Sequence, residues 1–271
     1  VAVLTIPARG DNGFRILQSA VDESRRAQVA ADSFVCDDCL AELFDPADRR
    51  YRYPFINCTN CGPRYSIVTD IPYDRPLTTM ADFPMCADCQ AEYDDPVSRR
   101  FHAQPNACPS CGPQLQLVTA DRSTGACADP LGETIRRLKA GQIVAIKGLG
   151  GYHLAVDAAN RDAVAELRRR KQREERPFAL MAKNLDAAAK LTAFGADEAR
   201  LLQGIERPIV LLRKRSGHGL AENIAPGNRY FGVMLPYTPL HHLLMQHFAA
   251  LVMTSANLSD EPIAFEDDDA R

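Results

Sequence analysis

The sequence lacks any apolar run approaching the roughly 18 residues that a bilayer-crossing helix needs, so no helical membrane segment is expected. It lacks a basic stretch followed by an apolar one at its start, so no secretion signal is read and a cytoplasmic protein is expected. It lacks an excess of positive charge. Its 32 Lys and Arg stand against 35 Asp and Glu, a formal net charge of −3, which argues against a chain whose main task is to grip nucleic-acid phosphates. No glycine-rich loop ends in Gly-Lys-Ser or Gly-Lys-Thr, so there is no Walker-type phosphate loop. A Ser-His-acid nucleophile arrangement and a metal set with an open coordination position are also missing. What remains is an ordinary globular composition, 46% hydrophobic and 25% charged over 271 residues, enough for two domains or three small ones.

Nine cysteines are present, and eight fall in four Cys-x-x-Cys pairs: Cys36/Cys39, Cys58/Cys61, Cys86/Cys89 and Cys108/Cys111. Gaps of 18, 24 and 18 residues separate the pairs. Two residues between thiolates let one tight turn present both sulfurs to a tetrahedral ion, and a second such turn completes the shell. The spacing predicts two structural zinc sites, each closed by four cysteines. A disulfide framework competes with this reading but suits neither the paired spacing nor a reducing compartment. Redox chemistry does not need four such pairs in register. Two tetrathiolate sites would bring the net charge to roughly −7. His102 lies inside the last gap, but Arg52 holds the matching place in the first, so His102 is not expected to be a ligand. Cys127 is the odd thiol and is expected to be unpaired.

The repetition goes beyond cysteine. Residues 36–69 and 86–119 share 15 identities over 34 positions at a constant offset of 50. Among them are Glu42/Glu92, Asp45-Pro46/Asp95-Pro96, Arg49-Arg50/Arg99-Arg100 and Gly62-Pro63/Gly112-Pro113, so the region is a duplicated module. Gly62 and Gly112 each follow a second cysteine pair. Both are expected at positive φ, turning backbone N–H groups toward the sulfurs.

Along the chain, residues 1–17 read as two short strands that close some preceding domain, 18–35 as a polar linker, and 36–120 as the zinc region. From 129 to 271 strands alternate with helices, predicting a twisted α/β domain, so the whole reads as a mixed α+β and α/β multidomain chain. Asp129-Pro130 opens a helix that Gly141 ends, and Asn160 caps another. Strands are expected at 142–146, 178–182, 209–212 and 251–254, and helices at 185–191, 196–203 and 238–248. The acidic end at 266–271 reads as an interrupted domain.

Three segments of this domain suit an anionic ligand. The turn from Lys147 through Tyr152 to His153 is glycine-rich, so backbone N–H groups can approach an anion beside the Lys147 charge, although a bare turn reads equally well. Residues 168–176 hold five arginines and one lysine, including Lys171, Arg173 and Arg176; the competing reading is a solvated basic helix end. Thr254, Ser255, Ala256 and Asn257, with Ser259, follow a buried strand and offer small hydrogen-bonding groups, or else a simple capped turn. His241 and His242 stand beside Leu243 and Leu244 and are read as packing or surface residues.

Taken together, these residues resemble the HypF family, the carbamoyltransferases of nickel–iron hydrogenase assembly. The carriers are the cysteine spacing, Arg50–Cys58, Arg99–Pro105, Ile146–Ala155 and Met253–Ser259, and the match extends over essentially the whole chain. Residues from 129 onward resemble the YrdC-type fold, whose members bind ATP and make carbamoyl- or threonylcarbamoyl-adenylates. That family's Lys-x-Arg falls on Lys171 and Arg173, its Ser-Ala-Asn on Ser255, Ala256 and Asn257, and its first-turn aromatic on Tyr152. The chain departs from the pattern at Glu174, Glu175 and Asp260.

The resemblance implies ATP, with Mg2+, as substrate, and carbamoyl phosphate as the source of carbamate in an acylphosphatase domain to which residues 1–17 would belong. It implies carbamoyl-adenylate as the product at Lys171 and Arg173, with Lys147, Tyr152, Arg176, Thr254, Ser255 and Asn257 holding the nucleotide. The acceptor would be a HypE-like protein, reached through a transfer domain expected after residue 271. Two other readings are weighed: a YrdC-type enzyme of tRNA modification, which would not need the zinc duplication, and a zinc-ribbon module binding nucleic acid or protein through Arg49, Arg50, Arg99 and Arg100.

Overall fold

A computed structural model describes residues 28–119, 127–257 and 261–270; the strands expected in 1–17, most of the 18–35 linker, Ser259 and Asp260 lie outside them. Two helices belong to the cysteine region: α1 (Asp37–Phe44) and α2 (Ala87–Asp94). Cys36 and Cys86 sit at the N-caps of these helices. The first pair of each module is therefore carried on a helix start rather than on the tight turn expected from spacing. A helix N-terminus favours negative charge and so suits a thiolate.

Among the described residues, those from 130 to 255 build one seven-stranded sheet with five α-helices. In chain order these are α3 (Pro130–Lys139), β1 (Val144–Gly148), β2 (Gly151–Asp157), α4 (Arg161–Lys171), β3 (Ala179–Ala182), α5 (Leu185–Leu191), β4 (Thr192–Ala193), α6 (Ala196–Gln203), β5 (Val210–Lys214), β6 (Tyr230–Met234), α7 (Pro239–Met245) and β7 (Ala250–Ser255). The strand order is β1-β2-β7-β3-β6-β5-β4. Among these strands β3–β6 pair in parallel and the other pairings are antiparallel.

Local signals place the helix starts as expected. The Asp129 carboxylate accepts from the Gly132 N–H at 2.9 Å and the Asn160 side chain from the Ala163 N–H at 3.0 Å. The glycine-rich turn differs from expectation. It is the two-residue loop of a β-hairpin, with Lys147 opposite Tyr152 and Gly148 opposite Gly151, and the chain runs on as β2 instead of heading straight to a helix.

Both faces of the sheet are covered, and the alternation along β7 records it. Ala250 and Val252 join α4, α5 and α6 through Val164, Leu167, Ala188, Leu191 and Leu202. Leu251 and Met253 face the other way, into a core with Leu131, Ile135 and Leu138 of α3 and Leu243, Leu244 and Met245 of α7. That second core continues into the cysteine region through Val35, Leu43, Tyr53, Ile56 and Met80. The Val35 N–H also donates to the Tyr237 carbonyl at 3.1 Å. Zinc region and sheet thus share apolar packing.

Candidate functional site

The eight paired cysteines form two four-sulfur clusters, Cys36, Cys39, Cys58 and Cys61 in one and Cys86, Cys89, Cys108 and Cys111 in the other. Neighbouring sulfurs lie 3.6 to 3.8 Å apart in both. A tetrahedron with zinc–sulfur bonds of about 2.3 Å has an edge of about 3.8 Å, whereas a disulfide would bring two sulfurs to about 2.05 Å. Burial pushes the Cys89 thiol up to about 12, so four thiolates can share that space only around a cation. The clusters fit two structural zinc ions, closed to substrate. Cys127 forms no disulfide.

His102 belongs to neither cluster. Its ring lies against Tyr93 and Phe101, and it takes a positive φ of 51°, as its counterpart Arg52 does at 57°. The shared expectation for Gly62 and Gly112 divides. Gly62 has φ +93°, but Gly112 does not adopt positive φ; a side chain there would strike the Tyr53 hydroxyl 2.2 Å away. Space, not backbone conformation, requires that second glycine.

The repeated arginines are engaged in ion pairs between the two modules. Arg49 and Arg50 pair with Glu92, and Arg99 and Arg100 with Glu42. Against the upward push of burial, Arg50 and Arg49 hold the Glu92 carboxyl down at about 2. Arg50 is 1% exposed and Arg100 5%.

The second cluster of polar groups lies where β7 ends beside β2. Lys171, the last residue of α4, donates from Nζ to the carbonyls of Ser255 at 3.0 Å and Asn257 at 2.6 Å and to Asn257 Oδ1 at 3.1 Å. The Ser255 hydroxyl donates to the same Oδ1 at 2.7 Å. Gln172 takes a left-handed conformation that ends α4, and Arg173 then donates from Nη1 to the Thr254 hydroxyl at 3.2 Å.

Burial first, then the charges of Arg173 and Arg176, lowers the Lys171 pKa; burial and Arg176 lower that of Arg173. Arg176 is exposed and acts on the other two through its charge. Among the described residues no carboxylate pairs with Lys171 or Arg173, and the exposed Glu174 and Glu175 are not among the charges acting on them. Cations that no carboxylate among the described residues pairs with favour an anionic ligand.

The β1–β2 hairpin brings Lys147 and Tyr152 to the same end of the sheet, since Tyr152 accepts from the Ala256 N–H at 2.8 Å. Lys147 Nζ lies 2.5 Å from Asp267 Oδ1, and the Tyr152 hydroxyl donates to that oxygen at 2.7 Å. Nothing in the sequence pattern marked Asp267 as part of this corner.

The remaining basic residues of α4 are structural. Arg168 donates to the carbonyls of Arg173, Glu174, Arg176 and Ile224, and exposed Arg169 and Arg170 pair with Glu166. His241 is 1% exposed and neutral, lowered to about 3 mainly by burial; His242 is lowered to about 4 for the same first reason. Both are packing residues.

Comparison with known proteins defines first the class. Residues 136–271 match the Sua5/YciO/YrdC family, described as "Telomere recombination", and residues 35–68 and 85–118 each match the "HypF finger". Carbamoyltransferase HypF2 of Cupriavidus necator is 55% identical over 96% of this chain and 34% of its own length. Carbamoyltransferase HypF of Synechocystis is 51% identical over 100% of this chain and 35% of its own. Among solved structures, full-length HypF in the phosphate- and nucleotide-bound form superposes with a TM-score of 0.82 at 52% identity, covering 89% of this chain and 32% of that one. HypF of T. kodakarensis gives 0.87 at 48% identity, covering 90% of this chain and 32% of that one.

The chain belongs to the HypF carbamoyltransferase family. It spans about a third of the length of these relatives. Neither the tRNA-modification reading nor the stand-alone zinc-ribbon reading is favoured, because fingers and sheet match the same relatives together. No helix among the described residues is long and apolar enough to cross a membrane.

Proposed function

We propose that this chain carries the adenylate-forming step of a carbamoyl transfer, binding ATP with Mg2+ at the end of β7. The observation that supports this is the convergence of Lys171 and Arg173 on Thr254, Ser255 and Asn257, with no carboxylate among the described residues to neutralise the two cations. In the proposed step a carbamate oxygen forms a bond to the α-phosphorus of ATP. The bond from that phosphorus to the bridging oxygen breaks, and pyrophosphate leaves with the electron pair. Lys171, Arg173 and Arg176 spread the charge on the phosphates, an effect strengthened by partial burial. Ser255 and Asn257 orient the nucleotide, and Tyr152 and Lys147 form the adjoining wall.

Carbamate would come from carbamoyl phosphate, and the carbamoyl group would pass to an acceptor protein of the HypE kind, through parts of the longer relatives that this chain does not match. The zinc modules, packed on the α3 and α7 face, would hold those parts in register so that water is kept from short-lived intermediates.

Calorimetry with MgATP tests the site. The chain is expected to bind, and Lys171→Ala or Arg173→Ala to weaken binding by about ten- to hundred-fold, the worth of one hydrogen bond to a charged group. Equal binding by the variants would remove both residues from the site.

A further inference from the structure

The contacts between the two cysteine modules are reciprocal at the offset of their duplication. Arg50 Nε donates to the carbonyl of Ala107, and Arg100 Nε to that of Asn57, its counterpart fifty residues earlier. Arg49 Nη2 lies 3.3 Å from the sulfur of Cys89, and Arg99 Nη1 lies 3.7 Å from that of Cys39, the matching ligand. Glu92 receives Arg49 and Arg50; Glu42 receives Arg99 and Arg100. Each residue thus meets the counterpart of the one that meets its own copy, as in an isologous dimer interface.

Local structure explains why the arginines point across. The Asp45 and Asp95 carboxylates each accept from the backbone two residues on, at 2.9 Å in both modules, fixing the turn that ends α1 or α2 and aims the following Arg-Arg pair away from its own sulfurs. One exception to the symmetry has a chemical reason. Thr59 donates its N–H and hydroxyl to the Arg99 carbonyl at 3.1 and 2.9 Å, and Pro109 in the matching place has neither donor.

The geometry points to a crossed outer shell: each module's arginine pair completes the zinc site of the other module, so that the two ions are held as one unit. Four thiolates leave about two negative charges on a zinc site, which the neighbouring module's guanidiniums partly offset. Arg50 and Arg100 depend on the facing module in turn, since these nearly buried cations would be costly without the carboxylates of Glu92 and Glu42. The functional consequence is that the metal region acts as a single rigid plate beneath the sheet rather than as two independent fingers.

The test uses the zinc-loaded chain, a competing chelator and a thiol-alkylating reagent, with mass spectrometry reading which cysteines label first. Arg99→Ala, in the second module, is expected to speed labelling of Cys36, Cys39, Cys58 and Cys61 by about ten- to hundred-fold, the usual cost of losing an outer-shell partner. Arg49→Ala is expected to do the same to Cys86, Cys89, Cys108 and Cys111. Arg99→Lys and Arg49→Lys keep the charge and stay close to the parent fold, but lose the two-pronged contact to sulfur and carboxylate. They should show the same crossed order with a smaller shift. Labelling that quickens first in the module bearing the substitution, or not at all, would overturn the inference.

Discussion

Between Cys36 and Cys111 the buried side chains include five of the eight cysteines paired there, two arginines and the amides of Asn57, Gln104 and Asn106. Between Leu131 and Met253 they are almost all Leu, Ile, Val, Met, Phe and Ala. The first region has little apolar area to bury, so metal–sulfur bonds and ion pairs replace the hydrophobic term and their strength depends on solvent, chelators and protons. The second buries apolar area on both faces of a sheet, a non-directional stabilisation that ignores metal supply. Because the two share the core of α3 and α7, loss of the first is expected to weaken the second without abolishing it.

The largest effect expected is from metal removal. Structural zinc is worth about 10–16 kcal/mol of apparent folding free energy per site, so a strong chelator should unfold residues 36–111 while hydrogen exchange still protects β3, β6 and β7. Simultaneous loss of protection everywhere would mean that the regions are one cooperative unit. Next comes Leu180→Ala, which empties a fully buried position in the centre of the sheet. It should cost about 2–5 kcal/mol in denaturant unfolding, with zinc content unchanged by metal analysis.

A third effect depends on pH. His241, packed against Tyr237 and near His153, has a folded pKa of about 3, lowered by burial first and then by His153 and His242. The unfolded chain therefore binds the extra proton from about 6.5 downward while the folded chain does not. Stability should be full above that range and fall as pH drops toward 3, by up to about 1.4 kcal/mol per unit from this group. His241→Phe should flatten that part of the slope, measured as the difference from the parent so that zinc loss in acid cancels. The smallest effect is Arg200→Ala, which breaks an exposed pair with Asp197 and should change stability by less than about 0.5 kcal/mol.

Much of the metal region is legible because its determinants are local and repeated. Four Cys-x-x-Cys pairs state the ligands, and the offset of fifty states the duplication. The crossing of Arg49, Arg50, Arg99 and Arg100 is not legible, since which copy an arginine faces depends on how two modules dock. In the sheet, Asp129 and Asn160 announce helix starts because a cap acts within three residues. The strand β2 is hidden because Gly148, Gly150 and Gly151 read as a loop, while one of its two pairings is with β7 about a hundred residues away. The corner formed by Lys171, Arg173 and Ser255 is marked by residue type, but Asp267 is not, as its partners Lys147 and Tyr152 lie more than a hundred residues earlier.

The central claim is that eight sulfurs enclose two closed tetrahedral ions beneath the sheet. X-ray absorption at the zinc edge, combined with metal analysis of the purified chain, tests it most directly. The expected result is about two zinc per chain, each with four sulfur scatterers near 2.3 Å and no oxygen or nitrogen in the first shell. A folded chain without zinc, or a shell containing light atoms, would contradict it.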